Sequence, residues 1–117
     1  MRPSWAASRR VRVAAFGLAL GAGAVVALLP AGSEPPPFAH ADKLGHALGF
    51  ALLWALGRAA GVRPLPLALG LLAYGGAIEG LQSLTPTRQA SWVDWIADGA
   101  GLVLGHVLAA RVAARRA

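Results

Sequence analysis

Four apolar stretches, each about long enough to cross a bilayer, occupy most of the chain and leave little else to build with. Val11 to Leu29 is the first, entered through Arg9, Arg10 and Arg12 and closed by Pro30. A second pattern runs from Asp42 to Gly57 and a third from Pro64 to Leu84, with Arg58, Gly61 and Arg63 forming a tight turn between them. The fourth runs from Trp92 to Ala110, ahead of Arg111, Arg115 and Arg116. A spanning helix needs ~20 mostly apolar residues, because the hydrocarbon core is ~30 Å thick and each helical residue rises ~1.5 Å. The expected fold is therefore all-α: a single polytopic membrane domain over residues 1–117, with spans at 11–29, 42–57, 64–84 and 92–110. With 56% apolar and 14% charged residues and a mean hydropathy of +0.56, 117 residues are too apolar for a water-soluble domain. Ala31 to Ala41 holds Glu34 and Pro35-Pro36-Pro37, which cannot donate the backbone hydrogen bonds of a helix, so a loop is expected there. Cysteine is absent, which excludes disulfides, thiolate metal sites and cysteine nucleophiles.

Charge is distributed one-sidedly about these spans. With the amino and carboxy termini inside, Arg2, Arg9, Arg10, Arg12, Arg58, Arg63, Arg111, Arg115 and Arg116 flank the cytoplasmic ends, which is nine of the eleven cations. Lys43 and Arg88 fall outside, together with all five acids, Glu34, Asp42, Glu79, Asp94 and Asp98. Basic loops stay cytoplasmic, so the formal charge of +6 is expected to report topology. It does not point to nucleic acid as a partner, because the arginines flank spans instead of lining one groove. A cleaved secretory signal is the alternative for the first span, although its apolar core exceeds the usual ~7 to 15 residues.

Helical spacing gathers the outer polar residues into pairs. Asp42 and His46 are four apart, as are Asp94 and Asp98, and Glu79 and Gln82 are three apart, so each pair shares a helix face with side chains ~5–6 Å apart. An ionised group at the centre of a span costs ~2.5–3.5 kcal/mol, so Glu79 and Asp98 need partners inside the bundle. For any one residue the simple reading is an interfacial group in water, with Lys43 and Arg88 snorkelling. Three pairs heading three spans at one depth favour a shared site. Four carboxylates against two cations then call for a proton or a bound cation.

Other features have structural readings. Gly17/Gly21, Gly45/Gly49, Gly76/Gly80 and Gly101/Gly105 put a small-xxx-small pair in every span, which permits close helix packing. Asp94, Asp98, Gly101 and Gly105 form one stripe. Trp92 and Trp95 are expected in an outer aromatic belt and Trp5 in an inner one. His106 lies ~21 Å deeper than Trp92 and is expected to pack near the inner side, while His40 in the proline-rich loop is expected in water. These features call for no cofactor, and metal binding is left open.

Asp42-Lys43-Leu44-Gly45-His46, Phe50, Glu79-Gly80-Leu81-Gln82, Pro86-Thr87-Arg88, Asp94 and Gly101 resemble, in order and spacing, the pattern of the VanZ-like family over residues 42–105. The resemblance implies a small multi-pass protein of the bacterial cytoplasmic membrane, associated with glycopeptide (teicoplanin) resistance. It also implies that Asp42, Lys43, His46, Glu79, Gln82, Arg88 and Asp94 are the functional positions. Asp98 stands where Asn is common in the pattern, and Phe50 where Tyr is common.

The function expected is a polar pocket on the non-cytoplasmic face that binds or acts on a lipid or cell-wall precursor head group. His46, Glu79 and Asp94 are the candidate catalytic residues, with His46 and Glu79 as general acid and base. Asp42, Lys43, Gln82, Arg88 and Asp98 are candidate substrate contacts, Lys43 and Arg88 as anion partners. The sequence has no GxSxG elbow, HExxH motif or phosphate-cradling loop, so turnover itself is not implied. The alternative is a non-enzymatic scaffold in which the same residues form ion pairs that clamp the outer helix ends. A proton or solute pathway is disfavoured, because few ionisable groups continue the cluster through the inner half.

Overall fold

Helix boundaries fall where proline, glycine or a capping side chain interrupts the apolar pattern. The computed structural model describes residues 8–29, 41–84 and 92–116, which form four helices. Ser8 caps α1 (Arg9–Leu28), its Oγ accepting the Val11 N–H at 3.3 Å. α2 (Ala41–Ala59) ends in a Schellman turn. There the Val62 N–H reaches the Gly57 carbonyl and the Gly61 N–H the Arg58 carbonyl, both at 3.0 Å. Gly61 sits at φ +95°, a backbone that glycine adopts without a Cβ penalty. Arg63 is extended and Pro64 opens α3 (Pro64–Gln82), where its missing N–H leaves no bond unmade. α4 (Trp92–Arg116) runs past the expected end at Ala110, because alanine and arginine are strong helix formers and leaving the apolar zone does not end a helix. Trp5, Glu34, the proline run, His40 and Arg88 lie outside the described residues.

α1, α3 and α4 are each long and apolar enough to cross a membrane. α2 has the length of a span, but carries Asp42 and Lys43 in its first turns and Arg58 in its last. Exposure is distributed inside out. Leu18, Leu65, Leu69, Ile96 and Val103 are exposed, while Glu79, Gln82, Asp94 and Asp98 are buried. A chain that hides carboxylates and displays leucines fits a membrane protein, whose exterior meets hydrocarbon instead of water.

Three bonds to main-chain carbonyls set the direction of the helices. Arg12 Nε donates to the Ala59 carbonyl at 2.8 Å, tying the start of α1 to the end of α2. Tyr74 Oη donates to Leu20 at 2.5 Å and Gln82 Nε2 to Ala27 at 2.8 Å, so α3 runs alongside α1 in the same direction. α2 and α4 make the most extensive pairing, and among the described residues α1 does not pack against α4. The core is Phe50, Leu53, Trp54, Leu67, Leu71 and Leu102, covered on one side by Phe16, Ala19 and Leu20 of α1. No residue of α1 is itself buried.

The glycine pairs prove unequal. Gly101 and Gly105 are the close-packed ones: a Cβ on Gly101 would run into the Ala47 carbonyl, and one on Gly105 would lie 2.9 Å from Trp54 Cβ and 3.0 Å from the Ala51 carbonyl oxygen. Ala47 and Ala51 are the complementary small residues on α2. Added Cβ atoms on Gly17, Gly21, Gly45, Gly49 and Gly80 would meet nothing within 4 Å. Gly101→Val should therefore lower stability in detergent by about 1–3 kcal/mol through overpacking, whereas Gly80→Ala should not destabilise. Thermal unfolding followed by circular dichroism compares the two, and equal stability would show that α2 and α4 are not in close approach.

Candidate functional site

Because α3 ends where α2 and α4 begin, three helix ends bring their polar residues to one place. His46 in the second turn of α2 faces α4, and its Nδ1 lies 2.8 Å from Asp98 Oδ1. Its Nε2 lies 4.0 Å from Asp94 Oδ2, one turn earlier on α4. Lys43 Nζ sits 3.6 Å from Asp94 Oδ1 and 3.3 Å from Asp42 Oδ2. Glu79 approaches from α3, and His46, Glu79 and Asp98 each offer one ligand atom, all within 4.8 Å of one another.

Asp98 is the most buried residue of the group, at 1% exposure. Two local features allow it. Gly75 leaves room for the carboxylate, since a Cβ there would lie 2.5 Å from Asp98 Oδ2. His46 supplies a ring nitrogen to the other oxygen, a charge-assisted bond of the strong class. Asp94 is less well served: its Oδ1 is buried with no hydrogen-bond partner, and Lys43 Nζ lies 3.6 Å away.

Beside this cluster a cleft of about 520 Å3 opens between α1, α2 and α3. His46, Asp98, Gln82 and Asp42 mark its polar end, and Phe50, Leu53, Ile78 and Ala19 are among its apolar walls. Val26, Gly45, Gly49 and Leu52 are exposed and line the mouth, which therefore faces sideways between α1 and α2. Gly45 and Gly49, whose spacing permits close packing, border the cleft and meet no neighbour there.

The structure thus brings together His46, Glu79, Asp94, Asp98 and Lys43. Asp42 lies at the margin with its side chain 58% exposed, and Arg88 lies outside the described residues. Lys43 is already engaged by two carboxylates. Gln82 donates through Nε2 to the Ala27 carbonyl on α1, and it stands about 60° around α3 from Glu79. Tyr74 and Gly75 were not singled out from sequence. Tyr74, Ile78 and Gln82 repeat every four residues along the cleft wall, and Gly75 precedes Glu79 by four, so both signals were present as stripes. Trp95 is not purely a belt residue, since its Nε1 donates to the Leu72 carbonyl at 3.1 Å. His106 packs edge-on against Trp54, with ring centroids 5.5 Å apart.

His46→Ala leaves the Asp98 carboxylate buried without its ring partner and is expected to destabilise the protein by roughly 3 kcal/mol. The double variant His46→Leu/Asp98→Leu should recover most of that loss, because replacing a buried pair with apolar residues is often neutral. Unfolding in mixed micelles gives the comparison. A double variant as unstable as the sum of two singles would mean that the pair is not a coupled unit. Comparison with family models, characterised proteins and solved structures finds no match to this chain, so the chemistry of the site has to be read from its own geometry.

Proposed function

We propose that the chain is a four-span protein of the bacterial cytoplasmic membrane that receives an amphiphile, an envelope lipid or lipid-linked cell-wall precursor. The polar head meets His46, Asp94 and Asp98, and the apolar chain lies in the cleft. The observation that carries this reading is the cleft itself, which joins a polar end to apolar walls and opens sideways. Its volume is that of an ordinary ligand pocket, ~300–1,000 Å3. α2 serves as the fourth span, since its charges are confined to its ends and the stretch from Leu44 to Gly57 has His46 as its one polar side chain. The arginine bias supports inward termini and a polar site on the non-cytoplasmic face. The ordered motifs over residues 42–105 support a place among VanZ-like proteins and a link to glycopeptide sensitivity. In an enzymatic form, His46 and Glu79 exchange protons with the head group.

A structural clamp is the second reading. It is favoured by the fact that Lys43–Asp94 and His46–Asp98 both tie α2 to α4.

Gly49→Leu separates the two, because Gly49 lines the cleft and a Cβ there meets nothing within 4 Å. On the amphiphile reading, native mass spectrometry of the purified protein shows retained lipid that falls by at least about tenfold (~1.4 kcal/mol) in Gly49→Leu. Gly17→Leu, outside the cleft, keeps it. Equal retention in all three proteins would sink the reading. On the clamp reading, the exchange Lys43→Asp/Asp94→Lys restores the stability and glycopeptide phenotype that either single change removes. Accumulation of a lipid or precursor in cells expressing Glu79→Gln at wild-type abundance would instead point to turnover.

A further inference from the structure

We infer that His46, Glu79 and Asp98 hold a divalent cation of the zinc class, with Asp94 beside them. This site stands on its own residues and does not require an amphiphile in the cleft.

The donor set comes first. One imidazole nitrogen and two carboxylate oxygens form a borderline-to-hard set of the kind that Zn2+ accepts, at bond lengths of about 2.0–2.2 Å. Two ligands on one such ion are at most ~4.3 Å apart, twice that bond length. The three ligand atoms lie within 4.8 Å of one another, against ~3.4 Å in the tetrahedral arrangement zinc prefers, so side-chain movements of about 1–1.5 Å close the site.

A second, independent observation is the state of the imidazole and of Asp94. A neutral imidazole carries one N–H and one lone pair. If Nδ1 donates to Asp98, the Nε2 lone pair faces Asp94 Oδ2 at 4.0 Å, acceptor towards acceptor. Asp94 is buried, and its Oδ1 accepts no hydrogen bond, with Lys43 Nζ 3.6 Å away. A cation at Nε2, whether a second ring proton or a metal ion, removes the clash with Asp94 Oδ2, and a metal ion also engages Glu79 and Asp98. With Nε2 on the metal, Nδ1 keeps Asp98 Oδ1 at 2.8 Å, as metal-bound histidines generally keep a carboxylate partner. The ion also places positive charge beside Glu79, Asp94 and Asp98, all three of them buried. Access is available, because His46 and Asp98 both line the cleft.

The test uses the full, tag-free chain in detergent micelles. Zn2+ titrated calorimetrically should bind at one equivalent, and Co2+ should give the visible absorption of a nitrogen–oxygen site. Glu79→Gln and Asp98→Asn should each weaken Zn2+ by at least about tenfold, the scale on which even indirect ligand support acts. His106→Ala should bind as wild type does. Sub-stoichiometric binding by wild type, or unchanged binding in Glu79→Gln and Asp98→Asn, overturns the proposal. Should those variants fail to fold, wild type decides alone: a Zn2+-dependent rise in melting temperature with a Co2+ spectrum sustains the site, and neither appearing refutes it. Retained lipid without metal would leave the amphiphile reading standing and remove this one.

Discussion

A carboxylate with 1% of its surface exposed, in a chain whose exterior is mostly leucine, valine and alanine, dictates much of the arrangement around it. Asp98 cannot be solvated where it lies, so α2 has to place His46 within 2.8 Å of it. That requirement is compatible only with a narrow separation of α2 and α4. The separation in turn depends on Gly101 and Gly105, one and two turns deeper along the same stripe of α4, meeting Ala47 and Ala51. Glycine below and carboxylate above are two halves of one interface: the first lets the backbones close, and the second needs them closed.

Much of this was legible in the primary structure because the α-helix converts sequence spacing into direction. Asp94, Asp98, Gly101 and Gly105 fall on one face by counting, and the four apolar stretches coincide with the four helices to within two residues, except at the basic end of α4. Partner choice was less legible. Glu79 and Gln82 resemble a pair at three-residue spacing, yet one turns to the histidine and the other to a carbonyl of α1. That choice depends on where α1 lies, and no local pattern records it.

The glycines show the same limit from another side. A pair of glycines four apart states that a neighbouring backbone can come close, but not that it does. Gly101/Gly105 and Gly45/Gly49 read identically, while the structure uses one to remove space and the other to keep it. What separates them is the small residues opposite. Ala47 and Ala51 complement Gly101/Gly105 across the helix interface, whereas Gly45/Gly49 border the open cleft.

The wall of that cleft is the helix with the fewest commitments to the core. α1 buries no residue, and near the cleft Tyr74 and Gln82 reach from α3 to its carbonyls at Leu20 and Ala27. Each of these side chains behaves as a strut, its length fixing how far α1 stands from α3. Near the cleft the gap is thus gauged by a phenol ring at mid-height and a carboxamide near the top, while Phe16, Ala19 and Leu20 pack against the core. Such a gauge is tunable by single exchanges of strut length, which would widen or narrow the cleft while the buried carboxylate and its histidine stay where they are.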